Sequence, residues 1–120
     1  LEITQSLGMD PYKTVVSCPI AGVAGWGGAI GPAQFITSTW KIFINRITAI
    51  TGSANPWNAE DAIVASSLYL SDLGASTGYS GQIKAACKYY GSGGTACSYG
   101  KQVMGRVAKI QQNIDILEGK

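Results

Sequence analysis

The chain has no histidine, and its three cysteines, Cys18, Cys87 and Cys97, form no Cys-x-x-Cys pair. A bound metal is therefore not expected, because the usual imidazole and paired-thiolate ligands are missing. Charge is also scarce: 13% of the 120 residues are charged, the net charge is +2, and no long run carries one sign. This argues against a disordered polyelectrolyte tail and against the basic footprint of a nucleic-acid binder. No stretch approaches the roughly 20 apolar residues of a membrane span. The opening Leu1-Glu2-Ile3-Thr4-Gln5 lacks the basic and apolar regions of a signal peptide. Gly22, Gly25, Gly27, Gly28 and Gly31 fit neither a phosphate-binding loop, which ends in Gly-Lys-Ser/Thr, nor the Gly-x-Gly-x-x-Gly fingerprint. Nucleotide binding is not expected, and no cofactor is implied.

What is present suffices for one core. A 46% apolar chain of this length predicts a single domain over residues 1–120. No run alternates strictly enough for a half-buried strand, so the class is all-α with four to five helices. A short helix near Glu2 to Leu7 is ended by Gly8, and Asp10 to Gly31 reads as a long ordered loop. A helical turn at Pro32 to Phe35 leads into a helix capped by Thr37 or Ser38, with Trp40, Phe43, Ile44, Ile47 and Ile50 at helical spacing and Gly52 at its end. Asn58 should cap the next helix, with Glu60 and Asp61 in the first turn against the positive end of the dipole. Its buried stripe reads as Ala62, Ser66, Tyr69, Leu70 and Leu73, terminated by Gly74. A further helix runs from Gly81 to Tyr90 before Gly91-Ser92-Gly93-Gly94. The last helix carries Val103, Val107, Ile110, Ile114 and Leu117 in steps of four and three, a narrow stripe suited to packing.

Cys87 and Cys97 bracket a glycine-rich loop, so a disulfide there would close about ten residues and add roughly 2–3 kcal/mol. Such a bond suits an exported protein; the alternative is that Cys87 packs as a small apolar residue. Cys18 is then left over, which points to a partner outside the sequence.

The segment Gly28-Ala29-Ile30-Gly31-Pro32-Ala33-Gln34-Phe35-Ile36, running on to Ser38-Thr39-Trp40, resembles the glutamine-bearing motif of peptidoglycan lytic transglycosylases. By itself, a glycine-rich stretch before an apolar run also describes a flexible loop entering a helix. Asn55-Pro56-Trp57-Asn58-Ala59-Glu60-Asp61-Ala62, continuing to Tyr69-Leu70 and Gly74, is similar to a second block of that family. Tyr89-Tyr90-Gly91-Ser92 resembles a third, and Tyr99 in Tyr99-Gly100-Lys101-Gln102-Val103-Met104 matches a tyrosine that follows it. Tyr90 departs from the family, which carries asparagine there, and Thr37 stands where relatives usually have proline. The blocks keep their order over nearly the whole chain, from about Leu1 to Gln112.

The resemblance implies the C-terminal part of a lysozyme-like catalytic domain, with its helices around a glycan groove. The family cleaves the β-1,4 bond between N-acetylmuramic acid and N-acetylglucosamine and forms a 1,6-anhydro product. One glutamate suffices as acid and then base because the attacking hydroxyl belongs to the substrate. Substrate contacts would come from Gly28, Ala29, Gly31 and Gln34, with Tyr69, Tyr89 and Tyr99 lining the groove or positioning the carboxylate. Without the resemblance, Tyr69 reads more readily as core, and the Tyr89–Tyr90 pair reads equally as a packed helix cap.

The family's catalytic Glu-Ser pair has no match between Leu1 and Gly28. The expectation is an upstream acid, an inactive isolated chain, and a monomer acting on peptidoglycan strands in the cell envelope, periplasm or extracellular space. The competing readings are a noncatalytic glycan-binding module and a helical interaction domain with no carbohydrate function.

Overall fold

A computed structural model describes residues 2–18, 28–91 and 97–120. Among these the fold is all-α: α1 Glu2–Ser6, α2 Thr37–Thr51, α3 Ala59–Asp72, α4 Tyr79–Tyr90 and α5 Ser98–Leu117, with a 3-10 turn at Ala75–Thr77. The expected glycines 22, 25 and 27, and Ser92, Gly93 and Gly94 of the later break, lie outside the described residues. The chain divides into two compact units, Leu1–Leu68 and Tyr69–Lys120.

In the first unit, α2 buries Trp40, Phe43 and Ile47. Phe35 meets Trp40 edge-on at 5.4 Å and Phe43 at 6.2 Å, an arrangement that aromatic quadrupoles favour. Two expectations for this helix are corrected. Ile50 is 61% exposed, because the last turn runs on past the Phe35–Trp40–Phe43 cluster. The cap is Ile36 in extended conformation with no side-chain bond, not Thr37 or Ser38. Phe35, paired with Ile30, draws the chain extended up to Ile36, whose carbonyl closes the first turn on Trp40 N–H. Pro32 to Phe35 is accordingly a reverse turn and not a turn of helix. Gly52 ends α2 in the left-handed region, as its position predicts. Trp40 is fully buried, and its Nε1–H has no acceptor among the described residues.

Asn58 accepts from Asp61 N–H at 3.1 Å, the capping bond expected at the start of α3. The buried face of α3 is Asp61, Ala62 and Ala65, while Ser66, Tyr69, Leu70 and Leu73 are only half-buried. Asp61 explains the rotation of that face. Its carboxylate, 1% exposed, accepts from Ser53 Oγ at 2.7 Å and Asn55 N–H at 2.8 Å, tying the α2–α3 connection to the helix.

In the second unit, α4 and α5 pack together where Gly100 lets Ile83 and Cys87 approach. The Cys87–Cys97 disulfide joins them, with Cα atoms 6.1 Å apart. α4 starts at Tyr79, two residues before the expected Gly81, because Gln82 N–H already bonds Gly78 O. Gly81 is needed inside the helix, where a Cβ would strike Thr77 Oγ1 and Gly74 O. The predicted packing stripe on α5 is overturned: Val103 is half-buried, while Val107, Ile110, Ile114 and Leu117 are exposed. The physical reason is length, since α5 has 20 residues and α4 has 12, so the later turns of α5 outrun the partner on which its first turns rest.

Burial raises the affinity of Asp61 for a proton, but the Thr51 hydroxyl, the Asn55 N–H and the Ser53 hydroxyl outweigh it and hold the carboxyl below its usual range. The unfolded chain therefore binds this proton more readily than the folded one. The contribution is complete above the unfolded value near pH 4 and is lost as pH falls through the lower folded value. Asp61→Asn should cost about 2–4 kcal/mol at neutral pH, since it turns an acceptor into a donor facing donors. Urea unfolding should show that cost at pH 7 and a smaller gap between variant and wild type at pH 3.

Candidate functional site

The family-like motif folds as a tight hairpin. Ile30 and Phe35 exchange both backbone bonds, at 2.8 and 3.2 Å, and enclose the loop Gly31-Pro32-Ala33-Gln34. Ile30 also bridges Val16, while Ser17 N–H bonds Ala29 O at 3.0 Å and Ser17 Oγ accepts from Ala29 N–H at 2.7 Å. The hairpin is thereby stitched to the segment that follows α1.

Its glycines are demanded by the chain's own backbone. A Cβ at Gly28 would collide with Ser17 and the Cys18 carbonyl, and one at Gly31 would overlap the Pro56 carbonyl. Gly31 also has φ +67°, a region costly to residues with a Cβ. The second block thus abuts the first through Pro56, which is itself fully buried. Asn55 Oδ1 caps the adjacent turn by accepting from Trp57 N–H at 2.9 Å, and Trp57 Nε1–H donates to Val15 O at 3.1 Å.

A cavity of about 440 Å³ opens between these segments, with Thr4, Tyr12, Val16, Gly28, Ile30 and Trp57 among its walls. Its lining is mainly apolar with a few hydroxyls. Gly28 is the expected site residue that reaches it; Ala29 is buried beneath, and Gln34 is exposed on the hairpin loop. Gln34 has φ +55°, and among the described residues no other non-glycine residue has a positive φ. Both its backbone N–H, at 3.1 Å, and its Nε2, at 2.8 Å, donate to Gly31 O. These two hydrogen bonds to one carbonyl tether the exposed side-chain amide to its own loop.

In the second unit the tyrosines form two pairs. Tyr69 and Tyr89 lie 5.2 Å apart at a 45° tilt, and Tyr90 stacks on Tyr99 at 4.4 Å and 19°. Tyr69, Tyr89 and Tyr99 thus each make an aromatic contact within this unit, in two separate pairs. Sequence reasoning missed two participants: Trp57 as a cavity wall and Tyr90 as the partner of Tyr99. The signal for Tyr90 was its place one turn after Cys87, with Tyr99 two residues after Cys97.

The carboxylates with displaced affinity point away from acid catalysis. Glu2, bonded to Lys41 Nζ, and Asp61 are both held below their usual range, whereas a general acid needs a raised one. Cys18 is exposed and free. Among the described residues no group of acids and thiols is arranged to hold a metal ion. No helix of the described residues is long and apolar enough to cross a membrane. Comparison with protein-family models, curated proteins and solved structures gave no match.

Gly31→Ala should destabilise the chain by about 2–4 kcal/mol, combining left-handed strain with overlap of the Pro56 carbonyl. Gly52→Ala is the control, because φ is +83° there but no atom lies near an added Cβ. Its cost should stay near 1–2 kcal/mol, about the strain alone. Equal losses for the two variants in thermal melts would show that the contact with Pro56 contributes nothing.

Proposed function

We propose that this chain is a glycan-binding domain of the lytic transglycosylase kind, lysozyme-like in fold, that engages peptidoglycan strands in the cell envelope. The observation that carries the reading is Gln34. A β-carbon in the left-handed region costs about 1–2 kcal/mol, and glycine at this position would avoid it. Such strain is commonly kept where a side chain is used. Here the strained residue is the glutamine of the family-like motif, its exposed amide anchored by Nε2 and its Oε1 available to accept a hydrogen bond from a sugar N-acetyl group. The ordering of the motif blocks, the seating of Gly31 on Pro56 and the cavity walled by Gly28 and Trp57 support the same reading.

In the family reaction a glutamate protonates the glycosidic oxygen and the muramyl hydroxyl displaces the leaving sugar. Residues 1–28 hold no match to the Glu-Ser pair that supplies it, and Glu2 and Asp61 are shifted in the wrong direction to replace it. The 120-residue chain therefore binds glycan without cutting it.

Purified peptidoglycan sacculi should sediment with the chain, and zymograms should show no cleared band. Clearing would refute the assignment of a missing acid. Gln34→Gly should raise stability by about 1 kcal/mol while weakening sedimentation with sacculi. If the glycine variant binds as the wild type does, the use assigned to Gln34 is wrong.

A further inference from the structure

We propose that Tyr90 and Tyr99 form a saccharide-stacking platform whose geometry is set by the Cys87–Cys97 cross-link. It rests on the glycan-binding reading above and adds to it a residue, Tyr90, that stands where the family carries an amide. Its ligand would be a β-1,4-linked N-acetylhexosamine unit held by the apolar C–H face of its ring.

The two rings are nearly parallel, their centroids 4.4 Å apart and their planes at 19°, yet Tyr90 keeps 67% of its surface in water and Tyr99 37%. A packed helix cap would have buried them. Gly91 turns left-handed at φ +100° directly after Tyr90, so α4 stops there. Stacking on Tyr99 occupies one face of Tyr90 and restrains its rotamers, so a ligand arriving on the open surface meets an already ordered ring.

The cross-link sets the roots of both rings. Cys87 lies three residues before Tyr90 on α4, on the same helical face, and is fully buried. Cys97 caps α5 two residues before Tyr99 and accepts from Gly100 N–H through Sγ at 3.5 Å. Gly100 in turn admits Ile83 and Cys87 so closely that a Cβ there would meet the Ile83 carbonyl and the Cys87 sulfur. Two helix ends are thus locked at one point, and each presents a tyrosine beside it.

An equatorially linked pyranose exposes flat faces of C–H bonds, which complement the electron-rich face of a phenol ring. An asparagine at position 90 would instead read a polar substituent. The stacked pair exchanges that hydrogen bond for contact with the sugar ring itself.

Calorimetric titration of the full chain with chitotetraose tests this. Tyr90→Phe should bind as the wild type does, because stacking needs the ring and not its hydroxyl. Tyr90→Ala and Tyr90→Asn should each weaken binding about three- to tenfold while melting with the wild type. A Cys87→Ser/Cys97→Ser double variant, with both rings retained, should lose affinity to a similar extent. Undiminished binding by Tyr90→Ala, with Gln34→Gly impaired, overturns the platform and leaves the glycan-binding reading intact. A loss in Tyr90→Phe equal to that in Tyr90→Ala overturns stacking in favour of a hydroxyl contact. Full affinity in the double variant overturns the role of the cross-link. Absence of wild-type binding to both chitotetraose and sacculi overturns the platform and the glycan-binding reading together.

Discussion

The seating of Gly31 against the Pro56 carbonyl is the constraint on which the first unit's candidate site depends. It joins two loops that are 25 positions apart in sequence, and neither carries enough secondary structure to hold its own shape. With the hairpin pinned there, Ile30 and Phe35 can close the four-residue loop, Phe35 can reach Trp40 and Phe43, and Trp57 can reach Val15. Each of these contacts faces a wall of the same cavity or the aromatic cluster behind it. The glycine is thus a packing element first. Any role of the motif in approaching a ligand builds on a backbone geometry that the protein needs for itself.

Asp61 secures the other end of the second block. Carboxylates buried without partners bind protons tightly and suit acid catalysis; Asp61 is buried among donors and is driven the opposite way. Its neighbours Ser53 and Asn55 spend their hydrogen bonds on it, which orders the connection leading to Pro56. A polar network of this kind specifies one conformation of a loop that apolar contacts alone would leave loosely defined. The same network holds Asp61 ionised, in the opposite sense to a proton donor.

Helical class, the Asn58 cap, the stop at Gly52 and the Cys87–Cys97 bond were all legible because each is local: one residue type, one spacing, one backbone conformation. What escaped was set by contacts distant in sequence. The turn at Pro32–Phe35 reads as helical until Ile30 pairs with Phe35, and Asp61 reads as a surface first-turn acid until Ser53 and Asn55 close on it. The α5 stripe failed for a related reason. Periodicity reports which residues share a face, but whether that face is covered depends on the length of the neighbouring helix, which ends at Tyr90. In the candidate site, the Tyr90–Tyr99 stack needed the geometry of the cross-linked helix ends.

Glycine tolerance distinguishes the two kinds of position in the hairpin loop. At Gly31 both the backbone angle and the space beside it demand glycine, so stability alone accounts for the residue. At position 34 the angle alone would favour glycine, and the chain places a long polar side chain there instead. The intraloop bond from Nε2 to Gly31 O returns part of that cost, but the backbone N–H of the same residue already serves this carbonyl, so the second donor adds little that the loop requires. Its distinct consequence is to tether the exposed amide to the loop. Preorganised acceptors of this sort lose little entropy on binding. Gln34 is thus kept against the local backbone preference, with its side chain in solvent.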